Sequence, residues 1–183
     1  MFDINFYMKI ADIKRKMMME ERHDSTYVME AFEAARSHRP YIYNLETTNA
    51  CNMVCQMCPR TTLMTRDINS ISPDLFARIA DQIEPHSEET WKRWEAFAES
   101  HYNVGPNEMS ENNFFLYVIP RVIVLHGYGE PLLDPNLGGY VKQLSARGIP
   151  SYFSCNPANI NVDLTIEFFE NGLDYIKYSI DTI

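Results

Sequence analysis

Seven segments of this chain alternate between strand-like and helix-like patterns, and that alternation limits the possible folds more than any other feature. "YIYNLETT" (41–48) is β-branched and aromatic, as a strand should be. Ser72 can cap a following helix opened by Pro73, with Leu75, Phe76, Ile79, Ala80 and Ile83 as its buried stripe. "RVIVLHG" (121–127) is nearly all apolar, the pattern of a strand covered on both faces. "DPNLGGYVKQLSARG" (134–148) predicts a helix capped by Asp134, opened by Pro135 and stopped by Gly148. "SYFSCN" (151–156) is a third strand, residues 162–171 a helix closed by Gly172, and "YIKYSID" (175–181) a fourth strand. This order predicts an α/β fold of parallel strands joined by right-handed helical crossovers. In such sheets chemistry gathers at the carboxyl ends of the strands. "CNMVCQMCPR" (51–60), "HGYGEP" (126–131), "CNPAN" (155–159) and "SID" (179–181) each stand at such an end.

Two segments lie outside this rhythm. Residues 1–40 form a helical extension, two helices parted near "HDST" (23–26), where Asp24 or Ser25 can cap the second, and closed by Pro40. Residues 84–120 interrupt the core that runs from 41 to 183. They carry seven acids against two bases, a net charge of −5, and both tryptophans, Trp91 and Trp94. A helix is expected over 87–101, then a loop containing Gly105 and Pro106; the segment is either a lid, a docking surface for a basic partner, or a solvated helical cover.

The chain of 183 residues, 45% hydrophobic and 22% charged, suffices for one domain with a sizeable core. A net charge of −9 argues against broad attraction to nucleic acid or anionic lipid. No apolar stretch of about 18 residues is present, so no membrane span is expected. The N-terminal residues lack the apolar run of a secretory signal. The expected setting is the cytoplasm, a reducing compartment where clustered thiols point to metal or redox chemistry.

Three of the four cysteines, Cys51, Cys55 and Cys58, fall in one loop as Cys-x3-Cys-x2-Cys. A disulfide would leave one over. Structural zinc takes four ligands, and the one distant cysteine is Cys155. An ordinary four-cysteine iron–sulfur site has the same shortage. A cubane held by three thiolates keeps one iron open for another ligand, and the short spacings let one loop wrap three corners.

Cys51-x3-Cys55-x2-Cys58 resembles the signature of the radical S-adenosylmethionine (radical SAM) superfamily, especially the branch whose members often carry a SPASM domain. "HGYGEPLLDP" resembles that family's glycine–glutamate motif after the second strand, and "SID" its S-x-D on the fourth. The resemblance covers residues 41–183 apart from 84–120, and it implies a partial TIM-type (β/α)6 barrel. It further implies that Cys51, Cys55 and Cys58 ligate a [4Fe–4S] cluster whose fourth iron binds S-adenosylmethionine. Reductive cleavage there yields a 5′-deoxyadenosyl radical that abstracts hydrogen from a substrate, a peptide or protein or a cofactor or natural-product intermediate. The electron would come from a donor such as a flavodoxin or ferredoxin.

By the same resemblance Gly127, Tyr128, Gly129 and Glu130 meet the methionine end of S-adenosylmethionine, with Glu130 an acceptor for its ammonium. Tyr128 stands where many members have glycine, and Met57 where an aromatic side chain often contacts adenine. Asn156 ends the third strand in the place of a Thr-Asn pair whose first position here is Cys155, read as a small buried residue. Ser179 and Asp181 share a strand face with Tyr175 and Lys177 and would meet the ribose or carboxylate, while Ile176, Tyr178 and Ile180 turn toward the helices. Glu46 is either a ligand contact or the partner of a base such as Lys177. His126 reads as a core histidine, and Arg60 either offsets cluster charge or faces solvent. Only about four of the six βα units are present, and the open edge after residue 181 leads us to expect a piece of a longer enzyme. The alternative is a non-catalytic binding protein with a structural iron–sulfur or zinc site.

Overall fold

A computed structural model describes residues 1–19, 24–39 and 41–180. Pro40 and Asp181 lie outside the described residues. The helices are α1 (Ile4–Met19), α2 (Ser25–Ala35), α3 (Pro59–Leu63), α4 (Pro73–Ala80), α5 (Glu88–Tyr102), α6 (Glu111–Asn113), α7 (Leu137–Ser145) and α8 (Val162–Glu170); the strands are β1 (Ile123–Val124), β2 (Ser151–Cys155) and β3 (Tyr175–Tyr178). Two compact units result: Met1 with Ile42–Pro85 and Val122–Ile183, and Phe2–Tyr41 with His86–Arg121. None of the described helices is long and apolar enough to cross a membrane.

In the first unit, β1, β2 and β3 form a parallel sheet in that order, with Val124 opposite Tyr152 and Phe153 opposite Ile176. The expected first strand is reduced to one parallel bridge between Asn44 and Val124. Leu45 N–H donates to the Val124 carbonyl and Val124 N–H to that of Tyr43. The ladder stops because β1 has only two regular residues, and Thr48 pairs instead with Ser70 in the antiparallel sense. The sheet therefore has three strands where the sequence suggested four, a mixed α/β arrangement with a small parallel sheet.

One face of this sheet builds the core. Ile123, Leu125, Phe153 and Cys155 pack with Leu137, Tyr140, Leu144 and Phe168 from α7 and α8, and Ile176 and Tyr178 of β3 lie against them. Phe76 of α4 stacks on Tyr140, ring centroids 4.1 Å apart, and Phe153 meets Phe168 edge-on at 5.2 Å. Burying each such ring contributes about 2 kcal/mol. The stripe on α4 is narrower than expected: Phe76 and Ala80 are buried while Leu75 is exposed. Ile180, assigned to the helix-facing side, is 73% exposed, because the regular strand ends at Tyr178.

Local chemistry sets the helix ends. Ser72 accepts from Leu75 N–H at the start of α4, and Asn161 from Leu164 N–H at the start of α8. α7 begins later than the sequence suggested. Residues Pro131–Leu133 form a 3-10 turn first, and Asp134 accepts from Asn136 N–H instead of capping the helix directly. Gly148 and Gly172 follow α7 and α8 with φ of 66° and 92°.

The second unit joins α1 and α2 to the segment that carries both tryptophans. α5 opens at the Ser87 cap with Glu88 and Glu89 in its first turn, where the helix dipole favours acids, and ends at Asn103 in the left-handed region. Buried Trp94 donates to the Leu116 carbonyl, Tyr7 packs edge-on against its ring, and Arg121 lies 5.2 Å over Trp91. These tryptophans are packing groups.

Candidate functional site

The site grows from residues 47–50, the stretch that leads into the cysteines. Thr47, Thr48 and Asn49 are buried although polar. Their hydrogen bonds run through the backbone and through the Thr48 and Asn49 side chains. Thr47 carbonyl accepts from Ile71 N–H, Asn49 exchanges backbone and side-chain bonds with Asn69, and Asn49 Nδ2 donates to the Asp67 carbonyl at 2.9 Å. Arg60 Nε donates to the Asn49 carbonyl at 2.7 Å, so this arginine braces the base of the cysteine loop.

On its other side the same stretch meets the glycine–glutamate loop. Glu130 N–H donates to the Ala50 carbonyl at 2.7 Å. A Cβ built on Gly129 would stand 1.9 Å from the Thr48 carbonyl oxygen, so only glycine permits this approach. One at Gly127 would stand 2.6 Å from Glu46 Oε1. That oxygen accepts from Tyr128 N–H at 2.6 Å, while Glu46 Oε2 pairs with Arg66 at 2.9 Å. Arg66 is thus the base that Glu46 takes, in place of Lys177.

Glu130 is 4% exposed. Its Oε2 accepts from Asn156 N–H at 2.8 Å and its Oε1 from Leu132 N–H at 3.2 Å. Burial raises its pKa, and those two N–H groups offset part of the rise. The carboxylate therefore ties the end of β2 to the turn after β1, and its other lone pairs are what it can offer a ligand. Asn156 accepts from Ala158 N–H to shape the 3-10 turn Pro157–Asn159.

Cys51, Cys55 and Cys58 are half-buried, and none of the four cysteines forms a disulfide. Cys58 precedes α3, and its N–H donates to the Cys55 carbonyl at 3.1 Å. The structure does not gather their sulfurs: among the described residues no three His, Cys, Asp or Glu side chains converge to hold a metal ion. Val54 in the same loop is exposed, and Met53 N–H lies 3.5 Å from Cys51 Sγ. Met57 is 73% exposed beside Cys58. Cys155 faces the core, where burial first and the Glu130 charge second push its thiol up to about 12.

Ser179 Oγ lies 2.7 Å from Ser154 Oγ, and its N–H donates to the Cys155 carbonyl. His126 Nδ1 accepts from Ser154 N–H at 2.9 Å, and burial, then the Lys177 charge, lowers its pKa to about 4. His126 is therefore half-buried on the side of the sheet away from the core, not a core residue. Sequence reasoning missed one pair: the amides of Asn52 and Asn159 exchange hydrogen bonds of 2.8 and 3.1 Å and tie the cysteine loop to the turn after β2. Two asparagines 107 positions apart leave no signal in a single sequence.

Comparison with known protein families finds no match to the chain. Over 143 residues it is 24% identical to the tungsten-containing aldehyde ferredoxin oxidoreductase cofactor-modifying protein of Pyrococcus furiosus, a match that takes in 78% of this chain and 31% of that protein. The chain thus spans about a third of the length of this curated relative. Among solved structures, that of BtrN in complex with AdoMet and 2-DOIA aligns with a TM-score of 0.47 and 18% identity, over 75% of this chain and 45% of that one.

Proposed function

We propose that the first unit is part of the catalytic core of a radical SAM enzyme, a portion of a (β/α)6 barrel. Cys51, Cys55 and Cys58 would hold a [4Fe–4S] cluster. The observation that carries this reading is the clasp at residues 47–50, which fixes the root of the cysteine loop against Gly129 and Glu130 at the carboxyl ends of parallel strands. The donor set fits the group in number and kind: three thiols on one short loop, none in a disulfide. A zinc site fits less well, since a fourth thiol would have to come from Cys155 in the core.

When bound, the cluster and S-adenosylmethionine supply a 5′-deoxyadenosyl radical for hydrogen abstraction. This chain's residues position and shield. Gly127, Tyr128, Gly129 and Glu130 would form the cradle for the methionine end of S-adenosylmethionine, with Asn156 and Ser179 bordering it, and Met57 and Asp181 are the further contacts the resemblance implies. Arg60 and the Asn52–Asn159 amide pair orient the loop. The substrate is a cofactor or natural-product intermediate, or a peptide, and the relative's name favours the first. A flavodoxin or ferredoxin in the cytoplasm would deliver the electron.

The test is electron paramagnetic resonance of the anaerobically reconstituted, reduced protein. A [4Fe–4S] signal whose shape changes on adding S-adenosylmethionine is the expected result. Bound zinc without a cluster, or a cluster signal indifferent to S-adenosylmethionine, would overturn the reading.

A further inference from the structure

Past Val124, side chains take over the ladder that backbone groups begin. The bridge sets Asn44 opposite Val124, so Glu46 stands level with His126, and the two side chains leave the same face of their segment. Asn44 Nδ2 donates to the His126 carbonyl at 2.8 Å, and Glu46 Oε1 accepts from Tyr128 N–H at 2.6 Å. Each side chain reaches two residues beyond the position opposite it.

The acceptor at 46 has to be a carboxylate. Its two oxygens face two donors, Tyr128 N–H on one side and the Arg66 guanidinium at 2.9 Å on the other. A glutamine would turn an NH2 toward one of them. Charge-assisted bonds of this kind are about twice as strong as neutral ones. The loop is shaped around this side chain as well. A Cβ on Gly127 would stand 2.6 Å from Glu46 Oε1 and 3.0 Å from its Cβ, so a side chain at 127 would push the carboxylate off Tyr128. The Glu46 side chain is 19% exposed and that of Arg66 57%, so the guanidinium reaches a sheltered carboxylate from the solvent side.

Two residues on, Glu130 N–H is held by the Ala50 carbonyl at 2.7 Å. The loop 127–130 is thus pinned at alternate amides, by a side chain at 128 and by backbone at 130. We propose that Glu46 is the positioning residue of this loop, locked in turn by Arg66, so that a ligand meets the loop already in its binding form. Identifying that ligand as S-adenosylmethionine rests on the reading above; the setting of the loop by Glu46 does not. A loop ordered beforehand avoids the ordering cost at binding and so gains affinity.

Amide hydrogen exchange of the chain, followed by nuclear magnetic resonance at Tyr128 and at Leu125 as the reference in the sheet, reads the loop directly. Glu46→Ala should lower protection at Tyr128 at least about tenfold while Leu125, bonded to the Tyr152 carbonyl, keeps its own. Arg66→Met, at an exposed position that the fold tolerates, should lower it about threefold, since Glu46 then keeps one of its two anchors. In the reconstituted chain the S-adenosylmethionine dissociation constant, titrated by the resonance change, should rise about tenfold in Glu46→Ala and about threefold in Arg66→Met, with iron content unchanged. Glu46→Asp keeps the charge but is one methylene too short, and it should behave as the alanine variant. Unchanged protection at Tyr128, or protection lost with affinity unchanged, overturns the proposal. Loss at Leu125 as well overturns it too, because Glu46 would then be a prop of the whole sheet. Affinity restored in Glu46→Asp without protection has the same force, since the carboxylate would act on the ligand through its charge alone. If the wild-type chain shows no response to S-adenosylmethionine, the enzyme reading fails, and the exchange result still decides the role of Glu46.

Discussion

Residues 47–50 and residues 51–58 adjoin in sequence but are built in opposite ways. In the first stretch, Thr47, Thr48 and Asn49 are buried, and backbone or side-chain bonds reach both the loop at 67–71 and the loop at 127–130. In the second, Val54 and Met57 face outward and the thiols do not converge. The contrast separates two tasks. On the proposed reading, a loop that wraps an inorganic cluster would gain nothing from bonds that fix it elsewhere, whereas its root would have to be held so that closure starts from one position. The buried, hydrogen-bonded side chains of Thr48 and Asn49 supply that rigidity.

The strongest way to break this contrast is at Gly129. Alanine there places a methyl group 1.9 Å from the Thr48 carbonyl oxygen, and backbone must shift on both sides. Gly129→Ala should destabilise the fold by about 3 kcal/mol, read as a lower urea midpoint. An unchanged midpoint would mean that the clasp yields easily and is no fixed root.

The next effect concerns pH. The His126 pKa of about 4 lies below its ordinary value, so the unfolded chain takes up a proton near pH 6.5 while the folded chain resists until about 4. Stability from this group is full above pH 6.5 and is lost as pH falls toward 4, about 3 kcal/mol in all. Glu130 and Asp134 act with the opposite sign, since burial raises both and favours their protonated forms in the fold. Comparing His126→Gln with the wild type in urea at pH 7 and 4.5 isolates the histidine. The variant should lose the least stability on acidification, and equal losses would show that His126 is solvated.

Periodic patterns revealed β3, α4 and α8 in the sequence because each buries one face, and burial is written in period 2 or 3.6; β2 is buried on both faces and carries no such alternation. The first strand misled for a related reason. "YIYNLETT" has strand composition, but pairing needs a partner, and two-residue β1 offers it a single bridge. The late start of α7 depended on Asp134 turning to Asn136 N–H after a 3-10 turn, a choice that local propensity does not decide. At the site, Gly129 and Glu130 were legible as a motif. Their physical roles, a close approach to Thr48 and a tie to Asn156, came only with three dimensions. Arg60 was ambiguous in sequence because a cation beside cysteines can serve charge or geometry; its bond to the Asn49 carbonyl decides for geometry.

That bond gives a smaller test. Arg60→Ala removes one charge-assisted hydrogen bond at a half-buried carbonyl and should cost about 1 kcal/mol of stability. Arg60→Lys should recover little of it, because an ammonium lacks the planar fork that reaches the carbonyl from this direction.

The smallest expected change in stability belongs to Asn52, and it probes the loop alone. Its amide pair with Asn159 is exposed, so Asn52→Ala should shift unfolding by about 0.5 kcal/mol. The clasp does not depend on it. If the root is fixed and the loop is loose, removing this tie should affect retention of the cluster more than the fold. After reconstitution, iron loss to a chelator should quicken about threefold in Asn52→Ala and at least as much in Asn159→Ala, whose amide also bonds the Glu130 carboxylate, with no further gain in the double variant over Asn159→Ala. Additive effects would mean that each asparagine holds the loop separately, and an unchanged rate would place closure of the loop entirely in residues 47–50 and Arg60.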